Sequence, residues 1–254
     1  MKMRYYFSFI GVISIAVLSF SFCNSKAMKK ETKPANGFAV VELFTSEGCS
    51  SCPPADEAMI KLAKEFPDHV YFLGYHVDYW NYIGWKDEFS NADFTKRQNK
   101  YAEVLGLSSI YTPQVVVNGQ KEFVGSRESQ LRTTIEEELK DPVSSVIELT
   151  AKSNGENNIT ASYKITNAGK LLLNIALVQL KATSNVKRGE NSGHQLNHIN
   201  VVRDLKTISI DKDANASVDF KIPQVLLSKD LKIIAFIQDK NSLKITGATE
   251  ATIQ

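Results

Sequence analysis

A short apolar strand that leads directly into a Cys-Ser-Ser-Cys motif and then into a helix is the feature that most constrains this chain. Residues 38–44 are mostly apolar and have the length of a buried strand. The polar segment 45–48 ends this run, and the Pro-Pro pair at 53–54 suits the first turn of a helix. We therefore expect Cys49 and Cys52 in a turn between a strand and the N-terminus of a helix.

The cysteine content favours redox chemistry for this pair. The chain has three cysteines, and Cys23 lies in the N-terminal apolar segment, so an exported form would retain Cys49 and Cys52 as its main thiols. A disulfide across a two-residue spacer closes a very short loop and stabilises the fold little. Redox exchange explains the pair better. An inert disulfide and a metal site with the same spacing stay open, although zinc takes four ligands and the chain has no second cysteine pair.

The N-terminus predicts export. Two basic residues precede the apolar stretch 5–22, and Ala27 ends a small-x-small site, so residues 1–27 are predicted to be a signal peptide cleaved after Ala27. Residues 28–37 then form a polar linker. Lipidation of Cys23 is the alternative, and it is the one membrane attachment that we expect. The predicted location is the periplasm or cell envelope.

Residues 38–141 follow the pattern β-α-β-α-β-β-α. After the first strand and helix, the pattern predicts a strand at 69–76, a helix at 91–105, a hairpin turning at Asn118-Gly119 and a helix at 128–140. A Cys-x-x-Cys motif between the first strand and helix of this order is the thioredoxin arrangement. We therefore predict an α/β thioredoxin-like domain.

Residues 143–254 have short alternating runs separated by turn residues, which predicts an all-β sandwich domain. Its candidate strands include 171–181, 199–202 and 207–210. The net charge of +2 has no long single-sign run, so the chain shows no electrostatic signal for nucleic acid.

The first domain resembles a bacterial family of secreted, thioredoxin-like proteins catalogued as a domain of unknown function. The resemblance rests on six short segments of this sequence, at 41–56, 76–80, 84–87, 97–98, 111–114 and 124–126. It implies a thioredoxin-like fold with a cis peptide bond before Pro113. The Thr112 backbone would then lie against the cysteines and offer main-chain groups to an extended substrate.

The two cysteines are predicted to have different roles. Backbone N–H groups at a helix N-terminus favour a thiolate, so Cys49 is the predicted nucleophile. Cys52 lies one turn further into the helix and would resolve the mixed disulfide. Because Glu47 would raise the pKa of a nearby thiol and the Ser-Ser spacer is unlike familiar spacers, the direction of electron flow stays open.

Glu42 lies in the first strand, near the position of the buried acid of thioredoxins. If buried, it would serve as general base for Cys52. An exposed carboxylate at the end of a strand is the equally weighted alternative.

Four further side chains follow the second strand, at the sheet edge where open α/β folds place their sites. They are predicted to line a substrate groove: His76, Asp78, Trp80 and Trp85. The alternative is that the tryptophans cap the core and His76 satisfies a strand end. A third possibility is a metal site that joins His76 to the cysteines.

A polar cluster interrupts the strand pattern of the second domain between Arg188 and Arg203, and it includes Glu190, Asn191 and His198. Such a cluster either faces a ligand or the cysteines, or it is a loop tied down by its own hydrogen bonds.

These observations predict an exported thiol-disulfide oxidoreductase whose partner is a protein or small-molecule thiol or disulfide. No cofactor and no metal ligand is predicted. A copper- or zinc-handling protein and a non-catalytic binding module are the alternatives.

Overall fold

The computed structural model describes residues 1–3, 37–155, 157–166, 169–212 and 214–254. The predicted signal peptide beyond residue 3, its cleavage site and Cys23 lie outside these residues. Within the described ranges, no helix combines the length and the apolar character needed to span a bilayer. The described residues from 37 to 254 belong to one compact unit.

The first region contains three helices. Its elements are β1 (Ala39–Thr45), α1 (Pro53–Glu65), β2 (Val70–His76), α2 (Ala92–Leu105), β3 (Gln114–Val117), β4 (Lys121–Val124) and α3 (Glu128–Glu138). Prolines occupy the first turn of α1, where their missing N–H groups cost nothing. The Asn91 side chain caps α2 by accepting a hydrogen bond from the Asp93 backbone, and Gly106 ends that helix with a φ of 67°.

The second region is built of strands. They are β5 (Ile147–Ser153), β6 (Asn158–Ile165), β7 (Leu171–Asn185), β8 (Gln195–Ile210), β9 (Ala214–Lys221), β10 (Leu231–Asp239) and β11 (Ile245–Thr252). The sequence predicted separate strands at 199–202 and 207–210, but the structure has the single long strand β8. It continues because β7 pairs with it along almost its whole length.

Both regions contribute to one eight-stranded sheet with the order β11-β10-β7-β8-β2-β1-β3-β4. β1 is parallel to β2 and antiparallel to β3, and β3 is antiparallel to β4. The regions join where β2 and β8 run parallel, with Gly74 opposite Val201. A separate three-stranded sheet has the order β5-β6-β9.

The sheet faces bury three main cores. On one face, Phe44, Tyr75 and Phe94 pack in the same core as Val178 and Phe236 of the second region. The predicted boundary at residues 141–143 therefore marks a change from α/β to all-β secondary structure. The two regions on either side of it share one hydrophobic core. On the other face, α1 and α3 cover the β1–β3 end, and the three-stranded sheet packs over β7 and β10.

A buried ion pair crosses the shared core. Arg97 Nε donates to Glu42 Oε2 at 2.6 Å, and Glu42 has no exposed surface. Tyr101 donates to the other carboxylate oxygen, and Gln238 of β10 donates to the Tyr101 hydroxyl at 2.8 Å. The free-energy cost of burying the Glu42 carboxylate is offset by hydrogen bonds to both of its oxygens. The group connects β1, α2 and β10.

We expect Arg97→Met to lower the free energy of unfolding by about 3–5 kcal/mol, because it leaves the Glu42 carboxylate buried without its cation. Urea unfolding followed by circular dichroism measures this. Lys100→Met on the same helix breaks the exposed pair with Glu103, and it should cost no more than about 0.5 kcal/mol. Equal losses in the two variants would contradict this role of the buried pair.

Candidate active site

The cysteine motif forms the turn between β1 and α1. The Cys49 backbone N–H donates to Ser46 O at 3.1 Å, and the Cys52 N–H donates to Cys49 O at 3.1 Å. Cys52 is the N-cap of α1, and the backbone N–H groups of Ala55 and Asp56 donate to its carbonyl. The motif is therefore wound tightly onto the positive end of a 13-residue helix.

Cys49 is a buried thiol in a polar environment. It is 1% exposed, and its Sγ lies 3.2 Å from Ser51 Oγ. A hydrogen bond from Cys52 has the largest effect on the pKa of Cys49 and lowers it. Burial raises this pKa, whereas hydrogen bonds from Ser51 and the Thr112 side chain lower it further. Together they lower the pKa of Cys49 from 9.0 to about 6. At neutral pH Cys49 is therefore mainly a thiolate.

The pKa of Cys52 is shifted in the opposite direction. Burial raises the pKa of its thiol well above 9.0, and the hydrogen bond and charge of Cys49 raise it further, while a hydrogen bond with Thr45 lowers it. Cys52 is therefore a thiol at neutral pH. Neither of these two cysteines forms a disulfide in the structure.

Thr112 and Pro113 lie beside the cysteines, and the bond between them is cis, as predicted. A hydrogen bond with the Thr112 side chain lowers the pKa of Cys49, and the same side chain accepts a hydrogen bond of 2.7 Å from Trp80 Nε1. Trp80 thus contacts a residue that affects the acidity of Cys49. The predicted contact of substrate with the Thr112 backbone stays a prediction.

Glu42 is buried, which agrees with one of its two interpretations, but it lies away from the cysteines. Side chains alternate along β1, so Val40 and Phe44 face the core beneath α2, whereas Val41 and Leu43 face α1. Glu42 shares the α2 face, and both of its oxygens accept bonds from Arg97 or Tyr101. It is therefore a poor candidate for the base that serves Cys52.

The four side chains predicted to line a groove at the end of β2 divide into two groups. Trp85 Nε1 donates to Glu47 Oε2 at 2.6 Å, next to the cysteine motif. His76 is buried, and its Nδ1 lies 2.6 Å from Asp87 Oδ2, which also accepts the Glu47 backbone N–H. Asp78 instead accepts a bond of 2.6 Å from Thr95 of α2. The structure thus brings Trp80, Trp85 and His76 to the site and ties Asp78 to a helix.

The polar cluster of the second region lies directly on the cysteine turn. Asn191 Nδ2 donates to the backbone oxygens of Glu47 at 2.8 Å and of Cys49 at 3.0 Å. The Ser50 N–H donates to Glu190 Oε2 at 2.9 Å. Of the two interpretations of this cluster, the structure supports the one in which it faces the cysteines.

His198 of β8 is buried at the same site. Its Nδ1 lies 3.1 Å from Asp56 Oδ1 of α1, and its Nε2 lies 3.7 Å from Glu47 Oε1. Burial alone would lower the pKa of His198, but the two carboxylates outweigh it and raise the pKa from 6.5 to about 10. The ring is therefore an imidazolium at neutral pH.

Sequence reasoning named His198 only as a member of a polar cluster and gave Asp56 no role in the site. The two residues lie 142 positions apart in the chain. No local signal pairs them, because Asp56 lies in α1 and His198 in β8, and only the fold brings these two elements together.

One buried ring nitrogen favours the metal-binding alternative, because His76 Nε2 has no hydrogen-bond partner among the residues that the structure describes. His198 does not favour it, because an imidazolium nitrogen carries a proton and cannot bind a metal ion. In addition, within the described part of the chain no three Cys, His, Asp or Glu side chains are arranged to hold a metal ion. The geometry therefore does not support a site formed by Cys49, Cys52 and His76.

The titration of Cys49 is directly measurable. In the reduced protein we expect the thiolate absorbance at 240 nm to rise with a midpoint near pH 6. Cys52→Ala should move the midpoint upward, because it removes the hydrogen bond with the largest effect. Ser51→Ala should give a smaller upward shift. A midpoint above pH 8 in the wild type would contradict this environment.

The His198 ion pairs should appear in the pH dependence of stability. Because the pKa is raised on folding, the stabilisation is complete below about pH 6.5 and is lost as the pH rises towards 10. Urea unfolding of the disulfide form, in which the cysteines do not titrate, measures this. His198→Gln should flatten the decline between pH 6.5 and 10, and His69→Gln, at an exposed position, should not. An unchanged decline in His198→Gln would exclude the raised pKa.

Of the comparisons with known proteins, one shows the family and none names a function. No curated protein matches the chain. A structural genomics target protein from Agrobacterium tumefaciens is similar in structure, with a TM-score of 0.66, 28% identity, and coverage of 86% of this chain and 95% of that chain. A domain of the outer membrane lipoprotein Omp28 from Porphyromonas gingivalis matches with a TM-score of 0.29 and 13% identity over 44% of this chain and 89% of that chain, too low to carry an argument. The family model described as "Protein of unknown function (DUF1223)" matches residues 40–238, and the chain therefore belongs to this family.

Proposed function

We propose that this protein is an exported thiol-disulfide oxidoreductase in which Cys49 is the nucleophile and Cys52 the resolving thiol. The observation that carries the proposal is that the surroundings of the two cysteines shift their pKa values in opposite directions, through hydrogen bonds to Cys49 and burial of Cys52. The pKa of Cys49 is lowered to about 6, whereas the pKa of Cys52 is raised above its ordinary value.

These values suit the two steps of disulfide exchange. A thiolate attacks a disulfide, and an attacking thiol works best when its pKa lies near the ambient pH. Cys49 meets this condition at neutral pH. Cys52 stays protonated until a mixed disulfide forms on Cys49, so the first attack is directed to one sulfur.

The fold of the first region supports a thioredoxin-like architecture. Strands β2, β1, β3 and β4 lie side by side in that order, with β3 and β4 antiparallel to their neighbours. The cysteine turn lies at the β1–α1 junction, and the cis peptide bond before Pro113 lies beside it. These features are the ones that the sequence pattern led us to expect of a thioredoxin-like domain.

The partner that fits this site is a protein or small molecule that carries a thiol or disulfide. Export is supported by the basic and apolar N-terminal sequence, which predicts a signal peptide. In the periplasm or cell envelope a reversible dithiol pair has disulfide substrates available.

Redox titration tests the proposal. We expect the Cys49–Cys52 disulfide to equilibrate reversibly with glutathione buffers, as measured by alkylation and mass spectrometry. Cys52→Ala should trap mixed disulfides with glutathione on Cys49, because the resolving thiol is absent. Cys49→Ser should trap none at neutral pH.

Two results would overturn the proposal. A disulfide that no glutathione buffer opens would indicate an idle bond in a non-catalytic module. Stoichiometric metal in the purified protein, lost in Cys49→Ser, would instead favour the metal-handling alternative.

A further inference from the structure

The resolving step requires a proton acceptor that the predicted base cannot supply. Cys52 must lose its proton as it attacks, and burial makes this loss unfavourable. Glu42 faces the opposite side of β1 and is held by Arg97. The acceptor must therefore be found on the α1 side of the sheet.

A chain of three polar groups begins at Cys52 on that side. Thr45, at the end of β1, is fully buried on the α1 side of the sheet, and its hydroxyl lowers the pKa of the neighbouring Cys52 thiol. Its Oγ1 donates to Asp56 Oδ2 at 3.4 Å, and the other oxygen of Asp56 lies 3.1 Å from His198 Nδ1. The Asp56 side chain is 12% exposed, so a proton that reaches it has a route to solvent.

We propose that Asp56, held in place by His198 of β8, accepts the Cys52 proton through the Thr45 hydroxyl. Asp56 is then the base of the resolving step, and His198 is a positioning residue supplied by the second region. This inference rests on the proposed function, because it assigns the proton of its second step.

The proposed exchange proceeds in two steps. Cys49 thiolate first attacks a substrate disulfide and releases one substrate thiolate, which leaves a mixed disulfide on Cys49. Cys52 sulfur then attacks Cys49 Sγ, the Cys49–substrate bond breaks, and the second substrate thiolate leaves. The Cys52 proton passes to Thr45 Oγ1 while the Thr45 proton passes to Asp56. Two protein thiols are oxidised and one substrate disulfide is reduced, and the reverse reaction returns the proton along the same path.

The charges around His198 keep this arrangement in place near neutral pH. Asp56 faces it from α1 and Glu47 from the cysteine turn. From β2 the His76 ring lies 4.8 Å away, measured between ring centroids, with its own Nδ1 hydrogen-bonded to Asp87. The Phe89 ring lies 5.9 Å away. The His198 ring fixes one oxygen of Asp56, so that the other points to Thr45.

Stopped-flow reaction of the reduced protein with the aromatic disulfide DTNB separates the two steps, because each releases one coloured thiolate. We expect Asp56→Asn to slow the second release at pH 7 at least tenfold and to change the first less than twofold. Its second rate should rise about tenfold per pH unit, because hydroxide must then remove the proton, whereas the wild-type rate should be nearly independent of pH between 6.5 and 8.5.

Four further variants distinguish this role from a merely structural effect. His198→Gln should slow the second release with the same change of pH profile. Thr45→Val should do so too, and Thr45→Ser, which keeps a hydroxyl, should restore the rate. Glu57→Gln removes an exposed acid from the same turn of α1 and is the matched control, with both releases unchanged.

The outcomes distinguish this inference from the proposed function. If Asp56→Asn and Thr45→Val release the second thiolate at the wild-type rate and pH profile, the relay is wrong and the exchange function stands. If the wild-type protein releases no second thiolate, the exchange function itself is overturned.

Discussion

The parallel contact between β2 and β8 is the interaction on which the candidate site depends. It joins the α/β region to the strands of the second region in one sheet, with Gly74 opposite Val201. Because of it, His198 reaches Asp56 at the start of α1, and the segment that precedes β8 places Asn191 on the backbone of the cysteine turn. The second region is thus a structural part of the site, because its side chains contact both the cysteine turn and α1.

Two sets of buried charges stabilise the protein without interfering with each other. Glu42 and Arg97 lie on the α2 face of β1, and Thr45 lies on the α1 face with Asp56 and His198. The alternation of side chains along a strand separates the sets by the thickness of the sheet. Each buried carboxylate is compensated by a cation or by hydrogen bonds, as burial in a low-dielectric interior requires. The Glu42–Arg97 set connects β1, α2 and β10 within the shared core, and the Asp56–His198 set lies beside the cysteines.

Local patterns predicted the elements well where local chemistry determines them. β1, the proline start of α1, the helix α2 and the Asn118-Gly119 turn lie where the sequence indicated. The pattern failed at β8, since its polar residues are held in a strand by pairing with β7 and not by their own propensity. It also failed to choose a role for Glu42, because one residue of register decides which face a strand side chain occupies.

The sequence by itself determined the cysteine turn and the membership of Cys49 and Cys52 in a single pair, because these depend on residues adjacent in the chain. The cis bond before Pro113 was expected only from the resemblance to a family, because a Thr-Pro dipeptide by itself favours the trans form. Only the tertiary structure decided which acid serves Cys52 and which histidine holds that acid. Asp56 and His198 are 142 residues apart, and no local pattern records that their side chains lie 3.1 Å apart. Their contact exists because sheet pairing brings β8 alongside β2, and strand pairing is set by the cores of the whole fold.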